Sequence, residues 1–415
     1  MRRFLLLCAC CFASLFFNVI PALSQTAGGS ADALGPSGVD AGDYVYVSAQ
    51  GPGGAGGSTP EKFADQVRQS LDNVKKVVES AGLTMEHVVY VQVYLEDISH
   101  YSELNEVFAA YFPKEPPARG VLGVSHVPQP PLQITAVAVR DLQGKQAVSA
   151  PNTAANKAYS EGMLTRDRLF VSTMPGSDPA NGSVPQDPAS QVDFALDRLK
   201  SVVQAAGLTL GHMVFVNPYL TSEIPMRIMN EHYARRFEFG NTPGRATIEV
   251  SSLPEGAHIA YTGVAVRDLS KRQAIRPKNM PPSPTASPCV FAGDTLYCSA
   301  KSGFIPGPNG GVYAESTANQ TRQTMRNLLD NLEEAGVKFD DVVYTTIYLD
   351  DLSDTPQFAK VYKKYFGASL PAQTTLAQLP PGNRKADEEG HYPDLEQVSL
   401  IAVRPHGAPN LHILP

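Results

Sequence analysis

Two cysteines lie close enough in the sequence to form a disulfide. Cys289 and Cys298 flank an apolar run whose centre is Gly293-Asp294. Gly-Asp suits a two-residue hairpin turn, and counting outward from it places the cysteines opposite each other in a non-hydrogen-bonded pair. The Cα atoms of such a pair approach to about 4.5 Å, within the range of a disulfide. The spacing therefore predicts a cross-strand disulfide, and two buried free thiols are the alternative.

An arginine and a glutamate, Arg245 and Glu249, are also close in the sequence. On a strand, this even spacing directs both side chains to the same side. The two could share one polar site, or they could form a salt bridge with each other. The histidines show no metal-ligand spacing, so the sequence does not indicate a zinc site.

The sequence contains one unit three times, and the fold of this unit must position the residues named above. Glu79–Leu95, Gln204–Leu220 and Glu333–Leu349 share an Ala-Gly dipeptide followed by an apolar run that ends in Tyr-Leu. The period is far too long for a solenoid and fits a tandem array of whole domains.

Each copy has the same order of predicted elements. In the first copy, apolar residues spaced by three and four predict a helix that ends at Gly82. Alternating residues then predict a strand from Val89 to Leu95. With two strands before the helix, and a second helix and two strands at the end, the order is β-β-α-β-α-β-β. This order predicts an α+β fold with helices on one face of a mixed sheet. The apolar residues of the first helix are Phe63, Val67, Leu71, Val74 and Val78.

Four features of this unit resemble the RidA family, also called YjgF or L-PSP, the reactive-intermediate imine deaminases. They are a Ser after a hydrophobic strand, an Ala-Gly followed by Asp/His-Val-Val and Tyr-Leu, an Asn-Glu-x-Tyr/Phe helix, and a Pro-x-Arg before the last strands. The resemblance implies small chorismate-mutase-like domains that form homotrimers with a ligand pocket at each subunit interface. Three copies in one chain therefore imply an intramolecular pseudo-trimer, and we expect a monomer. The expected RidA-like domains are residues 34–141, 158–268 and 284–405, with linkers at 141–157 and 268–288.

The resemblance also implies a reaction, the hydrolysis of 2-aminoacrylate and related imines to a 2-keto acid and ammonia, with no metal or organic cofactor. A guanidinium should hold the substrate carboxylate as a bidentate fork, and a carboxylate should activate the attacking water. By position, the resemblance assigns the carboxylate-binding role to Arg119 and Arg245. The other substrate-binding residues that it implies are Asn105, Asn230, Ser48, Ser172, Ser299 and Tyr159.

The three copies differ in how many of these residues they keep. The third copy has Gln373 in place of the Arg and Ala359 in place of the Asn, and we interpret it as a scaffold. The second copy is the most complete candidate half-site, with Tyr159, Ser172, Asn230, Arg245 and Glu249.

The family's water-activating Glu is missing from the last strand of every copy. Thr135, Thr262 and Ser399 occupy its position. A hydroxyl is too weak a base at neutral pH to deprotonate water unaided, and general-base help is typically worth about 10²–10⁴-fold. Glu249 is a possible substitute. Three interpretations remain: a binding or regulatory module for a small carboxylate (an imine, 2-keto or amino acid), a deaminase-like hydrolase that uses a different base, and a non-catalytic structural or interaction protein with vestigial pockets.

The N-terminus predicts export. Arg2 and Arg3 precede an apolar stretch, Phe4–Ile20, and small residues then lead to a cleavage site after Ser24. Residues 1–24 are therefore interpreted as a signal peptide of a periplasmic or secreted protein, and a retained membrane anchor is the alternative.

The charge of the chain argues against a nucleic-acid partner. The formal net charge is −7, and residues 1–24 hold two Arg and no acid, so the mature chain carries −9. Phosphate binding needs a basic face. No segment after residue 24 is long and apolar enough to span a bilayer. The expected partner is a small carboxylate ligand.

Overall fold

Each of three successive segments of the computed structural model forms one mixed sheet with two helices. The structure describes residues 34–54, 56–151, 153, 156–307, 310–367, 369–405 and 411–415. The predicted signal peptide, residues 1–24, lies outside them. Each segment follows the order β-β-α-β-α-β-β, except that the second divides one strand in two and the third adds a short hairpin before its first helix. This order confirms the predicted fold class.

The elements are as follows. The first domain contains β1 (Gly38–Asp40), β2 (Tyr44–Gln50), α1 (Phe63–Ser80), β3 (Val88–Leu95), α2 (Tyr101–Tyr111), β4 (Ala118–Gly123) and β5 (Leu132–Val139), followed by β6 (Gln146–Val148). The second contains β7 (Gly162–Leu164), β8 (Arg168–Pro175), α3 (Pro188–Ala205), β9 (Met213–Leu220), α4 (Met226–Ala234), β10 (Gly244–Arg245), β11 (Ile248–Glu249) and β12 (Ile259–Val266), followed by β13 (Arg272–Ile275). The third contains β14 (Cys289–Ala292), β15 (Thr295–Ser302), β16 (Ile305–Gly307), β17 (Gly310–Val312), α5 (Thr317–Ala335), β18 (Val342–Leu349), α6 (Thr355–Tyr362), β19 (Ala372–Ala377) and β20 (Glu396–Val403), followed by β21 (His412–Leu414).

The predicted apolar stripe of α1 forms the core of the first domain. All five of its predicted apolar residues are buried, and they pack in one cluster with Val91 and Val93 of β3 and Ile134 of β5. Gly82 follows the helix at a φ of 74°, a left-handed conformation that glycine adopts without strain. The spacing by three and four therefore predicted both the buried face and the end of this helix.

The strand after each domain joins the sheet of the next domain. β6 pairs with β7 of the second domain, and β13 pairs with β14 of the third. β21 returns to the first domain and pairs with β1. The sequence predicted linkers at residues 141–157 and 268–288, and the structure places a short strand in each. These strands were missed because their ladder partners belong to another domain.

Three equivalent hydrogen bonds join the domains in a closed cycle. In each, a backbone N–H on an edge strand of one domain donates to a serine hydroxyl on a bulged strand of another. The donor–acceptor pairs are Arg119 N to Ser172 Oγ at 2.7 Å, Arg245 N to Ser299 Oγ at 2.8 Å, and Gln373 N to Ser48 Oγ at 2.9 Å. Each serine hydroxyl in turn donates to a backbone carbonyl at 2.6 Å, in Ser160, Ser287 and Pro36 respectively.

Residues from one repeat position of all three copies meet where the sheets converge. The Arg168 guanidinium carbon lies 4.2 Å from the centre of the Tyr44 ring, and Arg168 Nη2 donates to Thr295 Oγ1 at 2.6 Å. Arg168 is buried, and Asp167 pairs with it at 3.2 Å. This contact ties all three domains together on the side of their first hairpins.

The predicted disulfide is present. β14 and β15 form a hairpin in which Cys289 lies opposite Cys298 and Ala292 lies opposite Thr295, the predicted register. The two Cα atoms are 4.0 Å apart, and both residues are fully buried.

Among the described residues, no helix combines the length and the apolar character needed to cross a membrane.

Candidate functional site

Arg119 is held by its backbone at the interface of the first two domains. It lies on β4, the edge strand of the first sheet. Two successive N–H groups on one side of this edge, those of Arg119 and Val121, donate to Ser172 Oγ at 2.7 Å and Thr173 Oγ1 at 2.9 Å. Ser172 and Thr173 lie in a bulge of β8, and a bulge re-aims neighbouring side chains. The second domain therefore fixes the position of Arg119.

The Arg119 side chain is a buried cation without a carboxylate partner. It is 2% exposed. Nη2 donates to Asn105 Oδ1, whereas Nε and Nη1 have no hydrogen-bond partner. Its guanidinium carbon lies 4.6 Å from the Phe108 ring centre and 5.0 Å from that of Tyr159. Among the described residues, no Asp or Glu forms an ion pair with Arg119. Burial lowers the pKa of this guanidinium below its usual value.

A small cavity lies beside Arg119. Its volume is about 10 Å³, which is room for about one water. Residues of both domains line it: Tyr101, Arg119 and Val121 of the first, and Tyr159, Thr173, Pro175, Pro254 and Glu255 of the second. Burial raises the pKa of Tyr159 well above its usual value, so this phenol stays neutral and can donate a hydrogen bond.

The second interface repeats part of this arrangement. Arg245 Nη1 donates to Asn230 Oδ1 at 2.7 Å, and the guanidinium carbon lies 5.3 Å from the Tyr233 ring centre. Arg245 is only half-buried, and burial again lowers its pKa. Ala286 and Ala300 occupy the positions that Tyr159 and Thr173 have at the first interface. This site therefore keeps the Arg and Asn but lacks two of the polar groups.

The third interface has no cation at this position. Gln373 keeps the backbone hydrogen bond to Ser48, and its side-chain Oε1 accepts from Thr375 Oγ1 at 3.0 Å. The neutral amide is thus satisfied within its own strand. The geometry is consistent with the interpretation of the third copy as a scaffold at this position.

The structure divides the residues of the predicted second-copy half-site between two interfaces. Tyr159 and Ser172 lie with Arg119, whereas Arg245 and Asn230 lie with Ser299 of the third domain. The repeat alone could not show this, because each site takes its arginine from one copy and its serine from the next.

Glu249 lies apart from Arg245. It is exposed on β11, and among the described residues neither a salt bridge nor a hydrogen bond joins it to Arg245. Glu249 is also absent from the residues that line the Arg119 cavity.

The three hydroxyls at the family's Glu position lie on the opposite face of the sheet from Arg119. In the first domain, Arg119 lies beside Val91, whereas Thr135 lies beside Gln92, the next residue along β3. In the second, Thr262 accepts a hydrogen bond from Asn217 Nδ2 at 3.2 Å and lies 3.1 Å from the Tyr219 hydroxyl. Burial raises the pKa of Tyr348 to about 12, and a hydrogen bond from Ser399 opposes that rise. These hydroxyls belong to a buried tyrosine-rich centre and do not line the Arg119 cavity.

The sequence interpretation missed three polar residues of the cavity, namely Tyr101, Thr173 and Glu255. Thr173 follows Ser172 directly, and the alternation of a regular strand would send it to the opposite side. The Leu-Pro-Glu-Gly turn at 253–256 was visible, but its approach to another domain was not.

Comparison with known proteins agrees with the division of the chain into three α+β domains. The family model described as "Endoribonuclease L-PSP" matches residues 30–140, 149–266 and 279–383. The chain therefore belongs to the L-PSP family, the RidA or YjgF family.

Single-domain relatives resemble one copy of the unit. The 2-iminobutanoate/2-iminopropanoate deaminase of Escherichia coli K12 is 37% identical over 115 residues, which are 26% of this chain and 90% of that protein. The RutC family protein PH0854 of Pyrococcus horikoshii is 35% identical over 106 residues, 25% of this chain and 84% of that protein. A crystal structure of a chorismatase covers 77% of this chain and 93% of its own, with a TM-score of 0.51 at 12% identity. The last similarity concerns the fold alone.

Proposed function

We propose that this protein is an exported RidA-family protein that binds a small carboxylate, a 2-imino, 2-keto or amino acid, in the Arg119 pocket. The observation that carries the proposal is the buried Arg119 guanidinium, whose Nε and Nη1 have no partner. A buried charge is strongly unfavourable unless it is paired and hydrogen-bonded. A guanidinium can bind a carboxylate end-on through one N–H each of Nη1 and Nη2, and Nη1 is free to do so.

The size of the cavity limits the ligand. Since the cavity has room for about one water, even a three- or four-carbon acid must displace that water and move a side chain. Tyr101 is half-buried and Glu255 is exposed, so these two can move at the least cost. We therefore restrict the proposed ligands to short acids.

Imine hydrolysis is the reaction that we propose for this site. It is supported by the similarity to proteins named 2-iminobutanoate/2-iminopropanoate deaminase and putative reactive intermediate deaminase, each over about a quarter of the chain. Against it stands the loss of the family's Glu, at Thr135, Thr262 and Ser399. A non-catalytic interaction protein with vestigial pockets is the alternative.

We also propose that one chain acts as a monomeric pseudo-trimer with one principal site. The cyclic hydrogen bonds from Arg119, Arg245 and Gln373 support a ring closed within the chain. The Arg245 site is more exposed and has fewer polar groups, so we expect it to bind the same acids more weakly. Light scattering at three times the mass of the chain would contradict the monomer.

Isothermal titration calorimetry with 2-oxobutanoate tests the proposed binding. We expect Arg119→Gln, which gives the first copy the residue that the third copy has at Gln373, to weaken binding by at least tenfold. Arg245→Gln is the matched control and should change the affinity of the principal site less than threefold. Equal affinity in all three proteins would contradict the Arg119 site and favour vestigial pockets.

A further inference from the structure

We propose that Glu255 is the general base of the Arg119 pocket, in place of the Glu that the last strands lack. This inference rests on the proposed function, because it presupposes that an imino acid binds at Arg119. It assigns the activation of water to a residue in a turn of the second domain.

The position of Glu255 supports this role. Glu255 lines the same cavity as Arg119, Tyr159 and Thr173. Burial is the main cause that raises the pKa of Tyr159, and the negative charge of Glu255 adds to it, which places the carboxylate within electrostatic reach of the phenol. Glu255 and Arg119 thus line the same water-sized space.

Glu255 is also held in an unusual backbone conformation. Its φ of 62° and ψ of 18° lie in the left-handed region, which is rare for a residue other than glycine. Among the described residues, only Glu115 shares a positive φ without being glycine. Pro254 and Gly256 flank it. Backbone conformations of this kind cluster at active sites and ligand-binding sites.

The carboxylate is free to act as a base. Glu255 is exposed, and among the described residues it has no salt bridge or hydrogen-bond partner. At the equivalent Leu/Val-Pro-x position, the first copy has Gln129 and the third has Pro381. Gln129 is not an acid, and its side-chain Oε1 already accepts a hydrogen bond from Gly51 N at 2.9 Å. Only the second copy therefore has an acid at this turn. This acid lies at the cavity of Arg119, which is more buried than Arg245.

The proposed step is balanced without a further reactant. Glu255 removes a proton from water as the water oxygen bonds to C2 of the 2-iminium acid, and the C=N π pair moves to nitrogen. Glu255 then returns this proton to nitrogen, and ammonia leaves with the C–N pair as C2 becomes a carbonyl. The hydroxyl proton passes to ammonia, and the products are a 2-keto acid and ammonium. Arg119 holds the carboxylate throughout.

The test compares hydrolysis with binding in the full mature chain. 2-Aminoacrylate is generated in situ, and pyruvate formation above background is measured. Glu255→Gln should lower kcat by at least 100-fold, within the range for loss of a general base, while the affinity for 2-oxobutanoate changes less than threefold. Glu223→Gln, an exposed acid of the same domain outside the cavity, is the control with unchanged kcat.

A second variant separates chemistry from folding. Glu255→Gly suits the backbone conformation, because glycine adopts a positive φ without strain, and it leaves a gap at the carboxylate. Added formate should restore part of kcat in this variant and none in Arg119→Gln.

Three results would overturn the inference. One is normal turnover in Glu255→Gln together with loss in Arg119→Gln, which would leave the proposed function intact. Another is loss of turnover in Glu249→Gln but not in Glu255→Gln. The third is wild-type hydrolysis no faster than background; binding at Arg119 would then be judged by the calorimetry alone.

Discussion

The backbone N–H of Arg119 donates to the hydroxyl of Ser172, and this bond crosses from one domain to the next within one chain. The Ser172 hydroxyl in turn donates a hydrogen bond to the carbonyl of Ser160 at 2.6 Å. Ser160 directly follows Tyr159, whose ring lies against the Arg119 guanidinium. One hydroxyl therefore sets the relative position of the arginine and the phenol that share the pocket.

Replacing this hydroxyl should affect both stability and binding. Ser172→Ala leaves the buried N–H of Arg119 without an acceptor, which costs about 1–3 kcal/mol. We expect a loss of that size in denaturant unfolding and at least a fivefold weaker binding of 2-oxobutanoate. Ser48→Ala removes the same bond at the Gln373 interface, so it should lower stability similarly and leave binding unchanged. Equal effects of both variants on affinity would contradict this role.

The third domain should lose stability as the pH rises from acidic values toward neutral. Glu396 is buried at the repeat position of Leu132 and Ile259, and burial raises its pKa well above the usual range, a rise that its hydrogen bond from Thr324 only partly opposes. Burial likewise raises the pKa of Asp394 to about 7.

Because folding raises these pKa values, their contribution to stability is complete below the unfolded values of about 4 and is lost as the pH rises through the folded values. The melting temperature should therefore fall between pH 5 and pH 8 by more in the wild type than in Glu396→Gln. Glu334→Gln, an exposed acid on α5, is the control with the wild-type pH dependence. An identical fall in all three proteins would contradict the raised pKa of Glu396.

The disulfide should stabilise the hairpin of the third domain. Cys289 and Cys298 close a short loop, for which the chain-entropy model gives about 2–3 kcal/mol. We expect the double variant Cys289→Ser, Cys298→Ser to lose about that much free energy of unfolding. Mass spectrometry of the alkylated, unreduced protein checks the premise; labelling of both thiols would refute it.

The last strand should anchor the first domain. Leu414 of β21 is buried in the core of the first domain, whereas its neighbour Ile413 is 46% exposed. Leu414→Ala should cost about 2–5 kcal/mol, as for other buried leucines. Ile413→Ala should stay within about 0.5 kcal/mol of the wild type. Similar values for the two variants would mean that β21 does not pack as described.

The elements with local signals were predictable, and the interfaces between copies were not. The spacing of Phe63, Val67 and Leu71 predicts α1, and the Gly-Asp turn predicts the register of the cysteine pair, because both depend on neighbours along the chain. Arg119 and Asn105 were likewise found by position within one copy. Whether they share a site with Tyr159 and Thr173 depends on how the first domain packs on the second. The sequences of three similar copies do not specify that packing.

The most direct measurement for the central claim is a crystal structure of the mature protein with 2-oxobutanoate. We expect the ligand carboxylate to lie within hydrogen-bond distance of Arg119 Nη1, which lacks a partner, with Glu255 beside C2. A ligand bound elsewhere, or a pocket that holds only water at saturating 2-oxobutanoate, would contradict it.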